Sequence, residues 1–220
     1  MPLSKITSSL NQLFYLCARD HDSEVTYSHL VHGVAAYNQM PSLGRQFLQL
    51  GFEDEKSFRE LTHSLKIPQG ESGKGRVLWV GAHGNENGLL CRDRLVVSAD
   101  KVVNSIDHLA NSFELIIMDN CRSDRMFTKG YPKGCILITS SRDTDWHSSF
   151  MIYAKIMEWL YDDTSKTRFN LSAPDRLMHG LKKDSPRKPN ENAILIQGIH
   201  NIIDSLDIKI IIDGKAVNEI

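Results

Sequence analysis

The sequence has no excess of charge of either sign. Its 26 lysine and arginine residues are balanced by 27 aspartate and glutamate residues, so that the formal net charge is -1. A protein dedicated to nucleic acid usually carries a positive field that attracts phosphate groups, and this balance argues against nucleic acid as a partner. With 41% hydrophobic and 24% charged residues, the composition fits an ordinary globular protein and not a disordered or collagen-like chain.

Cysteine is scarce, and its spacing fits neither a disulfide framework nor a zinc site. The four cysteines are Cys17, Cys91, Cys121 and Cys135, and no two of them form a CxxC pair. No histidines and cysteines have the spacing of a zinc finger. We therefore expect reduced thiols, no metal and no other cofactor.

The chain also lacks long hydrophobic runs. The apolar run at residues 13–18 is too short for the core of a signal peptide. No segment approaches the roughly 18 apolar residues of a membrane-spanning helix. These observations predict a cytoplasmic protein with no membrane partner, and leaderless secretion into another cell is the alternative.

Apolar residues spaced three or four positions apart predict amphipathic helices. Leu43, Phe47 and Leu50 fall at positions i, i+4 and i+7, and Gly51 is a natural stop for such a helix. Two further helices are predicted from the same spacing: one contains Phe58, Leu61 and Leu65, and the other is capped by Ser98 and carries Val102, Val103, Ile106 and Leu109. Helices are also predicted at residues 6–18 and 149–161, with a short one near residues 176–181.

Short apolar runs between polar or glycine-rich segments predict strands. They are residues 25–31, 76–82, 115–118, 135–139, 193–197 and 207–213. The Gly- and Asn-rich segment after His83 is predicted to be a polar loop that leads to Ser98. Strands that are hydrophobic on both faces are typical of parallel sheets covered by helices. The alternation of strands and helices therefore predicts an α/β fold, a three-layer α/β/α sandwich with a mostly parallel sheet.

Two residues with catalytic chemistry follow neighbouring predicted strands. In open α/β sheets, ligands bind beyond the carboxyl ends of the strands. His83 follows the predicted strand at residues 76–82, and Cys121 follows the one at residues 115–118. Residues 140–145 follow the predicted strand at residues 135–139. An imidazole can take the proton of a thiol and later protonate a leaving amine. Taken singly, such a histidine or cysteine is more often structural, but the two together predict attack on a carbonyl by a thiolate.

Around these residues the sequence resembles the caspase-like cysteine peptidases of clan CD. Residues 77–88 are similar to the apolar strand and His-Gly loop around the catalytic histidine of that family. Residues 114–122 are similar to the strand that delivers its catalytic cysteine. Residues 49–53 resemble the end of the first helix in the family. Residues 140–143 and 149–152 resemble the exit of the next strand and the helix behind it, so that the resemblance covers about residues 43–160.

The resemblance implies a cysteine endopeptidase that cleaves proteins or peptides. It makes Cys121 the nucleophile and His83 the general base and acid. The backbone N–H groups of Gly84 and Cys121 would form the oxyanion hole, where negative charge develops on the scissile carbonyl. The alternative is a catalytically inactive caspase-like adaptor that binds partner proteins through the same groove. A nucleotide binder is disfavoured, because no strand is followed by a GxGxxG or GxxxxGK[ST] motif.

The residue two positions before the nucleophile helps to determine which substrate side chain the enzyme accepts immediately before the cleaved bond, at the position called P1. Caspases have Gln there, whereas this chain has Asp119, as metacaspases and paracaspases do, and those enzymes cleave after Arg or Lys. A carboxylate pairs with a guanidinium and repels an acidic P1 side chain, and Asp143 or Asp145 would add a second negative wall. We therefore favour a basic P1.

Arg142 favours a P1 side chain that is not basic. Its setting resembles the caspase loop that supplies an arginine to an acidic P1 pocket, so an acidic P1 is the first alternative. Asp119 and Arg142 would instead leave a neutral pocket if they neutralised each other. The plainer interpretation of Asp119 is an N-cap of a helix after Cys121, which is compatible with substrate contact.

We predict a single domain over residues 1–220. Residues 43–160 would form the catalytic core and residues 161–220 a C-terminal part like the caspase small subunit. Residues 1–42 are an N-terminal extension or pro-segment, a docking element for a partner, or more of the same fold.

Activation has two open routes. The short connection at residues 122–134 carries Arg122, Arg125, Lys129 and Lys133 and is either self-cleaved or never cut, in which case dimerisation or an activating partner orders the loops. The last predicted strand, which includes residues 208–212, is expected to be a sheet edge that a second copy could pair with in a homodimer.

Overall fold

The computed structural model describes residues 12–19, 46–68, 71, 73, 75–91, 94–144, 148, 174, 175, 177 and 207–217. In chain order these residues form β1 (Gln12–Ala18), β2 (Gln46–Phe52), α1 (Glu55–Ser64), β3 (Arg76–Gly81), β4 (His83–Asn85), β5 (Gly88–Cys91), β6 (Arg94–Ser98), α2 (Ala99–Leu109), β7 (Leu115–Asp119), β8 (Ile136–Ser140), β9 (Ile208–Ile212) and β10 (Lys215–Ala216). Two short 3-10 helices cover Ala110–Ser112 and Ser123–Met126.

The described strands form a main sheet and a small one. The main sheet has the order β10-β9-β8-β7-β3-β1-β2, and the small sheet consists of β4, β5 and β6. In the main sheet β2, β1, β3, β7 and β8 run parallel, whereas β9 and β10 are antiparallel to their neighbours. The prediction of an α/β fold with a mostly parallel sheet is confirmed.

Both faces of the central strands are buried. On one face Leu78, Val80 and Met118 belong to a continuous hydrophobic core that includes residues of both helices. On the other face Trp79 and Ile117 are 1% and 0% exposed. A parallel sheet that is apolar on both sides must be covered on both sides, which is the arrangement of a three-layer sandwich.

The two helices follow the predicted periodicity. In α1 the buried side chains are Phe58 and Thr62, and in α2 they are Val102, Ile106 and Leu109. The helix α1 begins at a capping box, in which Asp54 accepts a hydrogen bond from the backbone N–H of Ser57 at 2.7 Å. Ser98 occupies the predicted N-cap position of α2, but its side chain makes no capping hydrogen bond. No helix in the described ranges is long and apolar enough to cross a membrane.

Two helix predictions near the N-terminus are wrong. The helix predicted for residues 6–18 is replaced, over its described part, by the strand β1, and the helix predicted from Leu43 is replaced by β2. The segment 49–53, which was compared with the end of a caspase helix, therefore lies mostly in β2. Short apolar runs fit either period, and here the buried position of β1 between β2 and β3 decides for strand.

The interior position of β1 also bears on residues 1–42. All six of its described side chains, from Leu13 to Ala18, are at most 3% exposed. Residues 13–18 are therefore part of the core, and the role of residues 1–42 stays a prediction. The division into residues 43–160 and 161–220 stays a prediction.

Two further corrections concern strands. The predicted polar loop after His83 is instead the three-stranded antiparallel sheet β4-β5-β6. The strand β9 is not the edge of the main sheet, because β10 pairs with it through Ile211 and Ile212. The predicted strands at residues 25–31 and 193–197 and the helix at 149–161 lie outside the described residues, and Leu177 of the short helix near 176–181 is helical.

Candidate active site

The register of two parallel strands brings His83 and Cys121 to the same place on the sheet. In the pairing of β3 with β7, Gly81 lies opposite Asp119. The backbone N–H of Ala82 also donates to the carbonyl of Asp119, at 3.4 Å. His83 and Cys121 are each two residues beyond this Gly81–Asp119 pair, and neighbouring strands lie about 4.8 Å apart. The two backbones therefore leave the sheet side by side, while the catalytic pairing of the side chains stays a prediction.

The small sheet fixes the segment that carries the histidine. His83 pairs with Leu90 and Gly84 with Leu89 across the β4–β5 ladder. Gly84 faces the loop of the cysteine, since a Cβ atom at this position would lie 2.7 Å from the Nδ2 atom of Asn120. A larger residue here would need Asn120 and the backbone of Gly88 to shift, so the His-Gly sequence suits the close approach of the β4 backbone to the residue before Cys121.

Cys121 is a half-buried free thiol in the turn after β7. Its sulfur lies against Thr144, whose backbone N–H donates to Sγ at 3.4 Å. The carbonyl oxygen and Oγ1 of Thr144 lie 3.8 and 3.9 Å from the same sulfur. The loop after β8 therefore forms one wall around the sulfur.

The two proposed oxyanion-hole donors lie on the two elements that meet here. Gly84 belongs to β4, and Cys121 follows β7. Within the described part of the chain, the backbone N–H of Cys121 donates to no protein carbonyl. An N–H without an intramolecular acceptor is a suitable donor for a substrate oxygen.

Asp119 is buried beneath the site. It is 1% exposed, and its Oδ2 atom accepts a hydrogen bond from the indole N–H of Trp79 at 3.1 Å. The interpretation of Asp119 as an N-cap is wrong, because the 3-10 helix after Cys121 is preceded at its N-cap position by Arg122. The carboxylate is therefore oriented by a neighbouring strand rather than by a helix terminus.

The remaining predicted substrate-binding residues lie on the loop after β8. Arg142 is exposed, and its carbonyl accepts a hydrogen bond from the backbone N–H of Arg122 at 2.9 Å. Asp145 lies outside the described residues. The structure thus brings Arg142 to the edge that carries Cys121, and the substrate contacts of Asp119, Arg142 and Asp145 stay predictions.

Arg122 links three loops by its side chain and backbone. Its Nε and Nη2 atoms donate to the two carboxylate oxygens of Asp143 at 2.9 and 3.2 Å, and Nη1 donates to Glu86 at 3.5 Å. The hydrogen bond with Asp143, followed by the charge of that carboxylate and by Glu86, raises the pKa of Arg122. The pKa of Glu86 is lowered, first by its own backbone N–H and also by Arg122. Asp143 was predicted as a possible negative wall of the P1 pocket, and both of its carboxylate oxygens accept hydrogen bonds from Arg122. Arg122 and Glu86 were not predicted as site residues.

The segment after Cys121 is packed. The hydroxyl of Ser123 donates to the carbonyl of Met118 at 3.1 Å and accepts from the backbone N–H of Ser140 at 2.9 Å, so that it bridges the ends of β7 and β8. Met126 and Phe127 are 4% and 5% exposed. The stretch 122–134 therefore contains anchored side chains between its basic residues, and its self-cleavage stays a prediction.

Asp124 is the centre of a second polar cluster beside the site. Its carboxylate accepts hydrogen bonds from Lys209 at 2.6 Å, from Tyr131 at 2.6 Å and from Ser141 at 3.1 Å. Burial by itself raises the pKa of Asp124, but the hydrogen bonds from Lys209 and Tyr131 and the charge of Lys209 outweigh it, so that the pKa is lowered. The cluster fastens the Cys121 loop to β9 and to the loop after β8.

The other described thiol environments differ from that of Cys121. Cys17 is buried in β1, and burial raises the pKa of Cys135 to about 12, with smaller contributions from the charges of Asp107 and Asp213. Among the described residues, no group of three or more His, Cys, Asp or Glu side chains could hold a metal ion. Of the three thiols whose side chains the structure describes, Cys121 is the one that is not buried.

Comparisons with known proteins find a similarity among solved structures. No family model matches the sequence, and no curated protein matches it. Among solved structures, the chain is similar to a secreted C11 cysteine protease from Bacteroides thetaiotaomicron, in complex with an irreversible peptide inhibitor. The similarity has a TM-score of 0.45 and 8% sequence identity, and it covers 79% of this chain and 59% of that chain. A TM-score this low does not carry the family or the activity of that protein over to this chain.

Proposed function

We propose that the chain is a cysteine endopeptidase of the caspase-like type, with Cys121 as the nucleophile and His83 as the general base and acid. The observation that supports this most is the register of β3 with β7, which sets both residues two positions beyond a shared backbone pair. The half-buried state of Cys121 supports it further, since a nucleophile must meet substrate yet be shielded from bulk water.

The proposed reaction has two steps. In the first, the imidazole of His83 takes the thiol proton, and the sulfur of Cys121 forms a bond to the scissile carbonyl carbon. The C–N bond then breaks as the imidazolium gives that proton to the leaving amine. In the second, His83 takes a proton from water, the hydroxide attacks the thioester carbon, and the sulfur leaves as a thiolate that recovers the proton.

The backbone of the same loops would stabilise the intermediate. The N–H groups of Gly84 and Cys121 are proposed to donate to the oxygen that becomes negative in each step. The N–H of Cys121 suits this role because, within the described ranges, it has no backbone carbonyl partner.

We further propose a basic residue at P1. Asp119 places a buried carboxylate two residues before the nucleophile. A carboxylate pairs with a guanidinium or ammonium group and disfavours an acidic side chain. Arg142 is exposed on the adjacent loop and supports the alternative, an acidic P1.

A fluorogenic peptide library randomised at P1 tests both the peptidase activity and the P1 preference. The wild type is expected to release fluorophore after Arg or Lys, and Cys121→Ala is expected to abolish turnover. The matched control Cys135→Ala, at a buried thiol that faces no reactant, should retain it. Turnover after Asp alone would overturn the basic P1 but not the peptidase, whereas equal turnover by Cys121→Ala would overturn the peptidase itself.

A further inference from the structure

Arg122 has an unusual backbone conformation directly after the proposed nucleophile. Its φ and ψ angles are 54° and 30°, in the left-handed region that residues other than glycine rarely occupy. Such a conformation persists where the surrounding contacts hold it in place, and it is frequent at functional sites. The contacts that hold Arg122 therefore indicate the function of this backbone conformation.

Those contacts join all three loops at the carboxyl ends of the strands. The backbone N–H of Arg122 donates to Arg142, and its guanidinium makes two parallel hydrogen bonds to Asp143 on the loop after β8. A third contact reaches Glu86, in the turn that follows β4. His83 lies three residues before Glu86, and Thr144, which donates to the sulfur of Cys121, directly follows Asp143.

We propose that Arg122 is a positioning residue that holds the loops of His83, Cys121 and Thr144 in their reactive arrangement. This inference rests on the proposed peptidase function. A guanidinium bound to a carboxylate through two hydrogen bonds fixes both distance and orientation, which a single point contact does not. Arg122 thereby closes a ring that runs from Cys121 through Arg122, Asp143 and Thr144 back to the sulfur.

Because this ion pair is exposed, its effect on kcat should depend on the salt concentration. The side chains of Arg122 and Asp143 are 38% and 66% exposed, so dissolved salt reaches both. Salt screens exposed charges, whereas it leaves buried packing almost unaffected. If the ion pair positions the dyad, the kcat of the wild type should fall as salt rises, and variants without the pair should lose that dependence.

The test compares variants that preserve the backbone. Arg122→Asn removes the charge but keeps a residue that tolerates the left-handed region. Asp143→Asn removes the main partner, and Arg122→Asp combined with Asp143→Arg exchanges the two charges. Lys101→Gln is the matched control, because it breaks a different exposed ion pair, with Glu55 at 3.8 Å.

We expect kcat/KM to fall about tenfold to a hundredfold in both single variants, mainly through kcat, since small misplacements of reacting groups have effects of this size. The charge exchange should restore at least part of kcat together with its salt dependence, and Lys101→Gln should match the wild type in both. Thermal unfolding of Arg122→Asn should match that of Lys101→Gln.

Two results would overturn the inference while the peptidase stands. One is an Arg122→Asn variant that matches an active wild type in kcat/KM and in salt dependence. The other is a loss of activity that follows thermal unfolding in every variant and is not restored by the charge exchange, because this is what a purely structural role predicts. A wild type that does not cleave peptides at all would overturn the proposed function and this inference with it.

Discussion

Replacement of Asp124 by Asn should destabilise the protein through the loss of one charge. The carboxylate of Asp124 is 10% exposed and accepts hydrogen bonds from Lys209, Tyr131 and Ser141, two of them at 2.6 Å. An amide keeps one acceptor oxygen and turns an N–H₂ group towards donors. The change therefore removes one or two charge-assisted hydrogen bonds and leaves a half-exposed ammonium without its counter-ion.

The expected cost follows from those contacts. Hydrogen bonds to a charged group contribute about 1.5–3 kcal/mol each, so that Asp124→Asn should lower the free energy of unfolding by about 2–4 kcal/mol at neutral pH. For a chain of this size that corresponds to a fall of roughly 5–15 °C in the unfolding temperature. Asp100→Asn is the matched control, because Asp100 is 82% exposed and its ion pair with Lys129 is screened by water.

The pH dependence gives the same prediction a second test. The pKa of Asp124 is lowered in the folded state, so its contribution is fully present above the unfolded value of about 3.9 and is lost as the pH falls through the folded value. Chemical denaturation from neutral pH down to about pH 3 should show the difference between wild type and Asp124→Asn shrink below about pH 4. Equal stabilities of Asp124→Asn and Asp100→Asn at neutral pH would refute the reasoning.

Two further predictions concern the site and its surroundings. Gly84→Ala should lower kcat/KM about tenfold to a hundredfold, because its Cβ would lie 3.1 Å from both Cβ of Asn120 and the carbonyl oxygen of Gly88, contacts that no side-chain rotation relieves. Unchanged peptide hydrolysis would contradict this close approach. Cys135, whose pKa burial raises to about 12, should resist iodoacetamide at about pH 8 in the folded protein and react after denaturation, as followed by mass spectrometry. Rapid labelling of Cys135 in the folded state would show that its burial is wrong.

The sequence predicts the strands that carry the site better than those at the other side of the sheet. The strands β3, β7 and β8 were recognisable because each is a short run, apolar on both faces, between polar segments. The apolar runs of β1 and β2 fit a helix as well as a strand. Their assignment depends on tertiary pairing that no local pattern contains.

The small sheet and the polar clusters illustrate two other limits. The strand β4 has only three residues, and its sequence of His83, Gly84 and Asn85 has the composition of a loop. Asp124 and Lys209 are 85 residues apart in the chain, so that only the folded arrangement of β9 reveals their ion pair. The contact of Thr144 with the sulfur depends likewise on the path of the loop after β8, although that loop was recognised as part of the same sheet edge.

The most direct test of the central claim is to ask which cysteine reacts with an alkylating peptide and whether that reaction needs His83. Mass spectrometry after digestion should locate the label on Cys121 in the wild type. The labelling rate should fall by about 100-fold or more in His83→Ala, because the general base is lost. Labelling of Cys121 at the same rate in His83→Ala, or labelling of another cysteine in its place, would contradict the account.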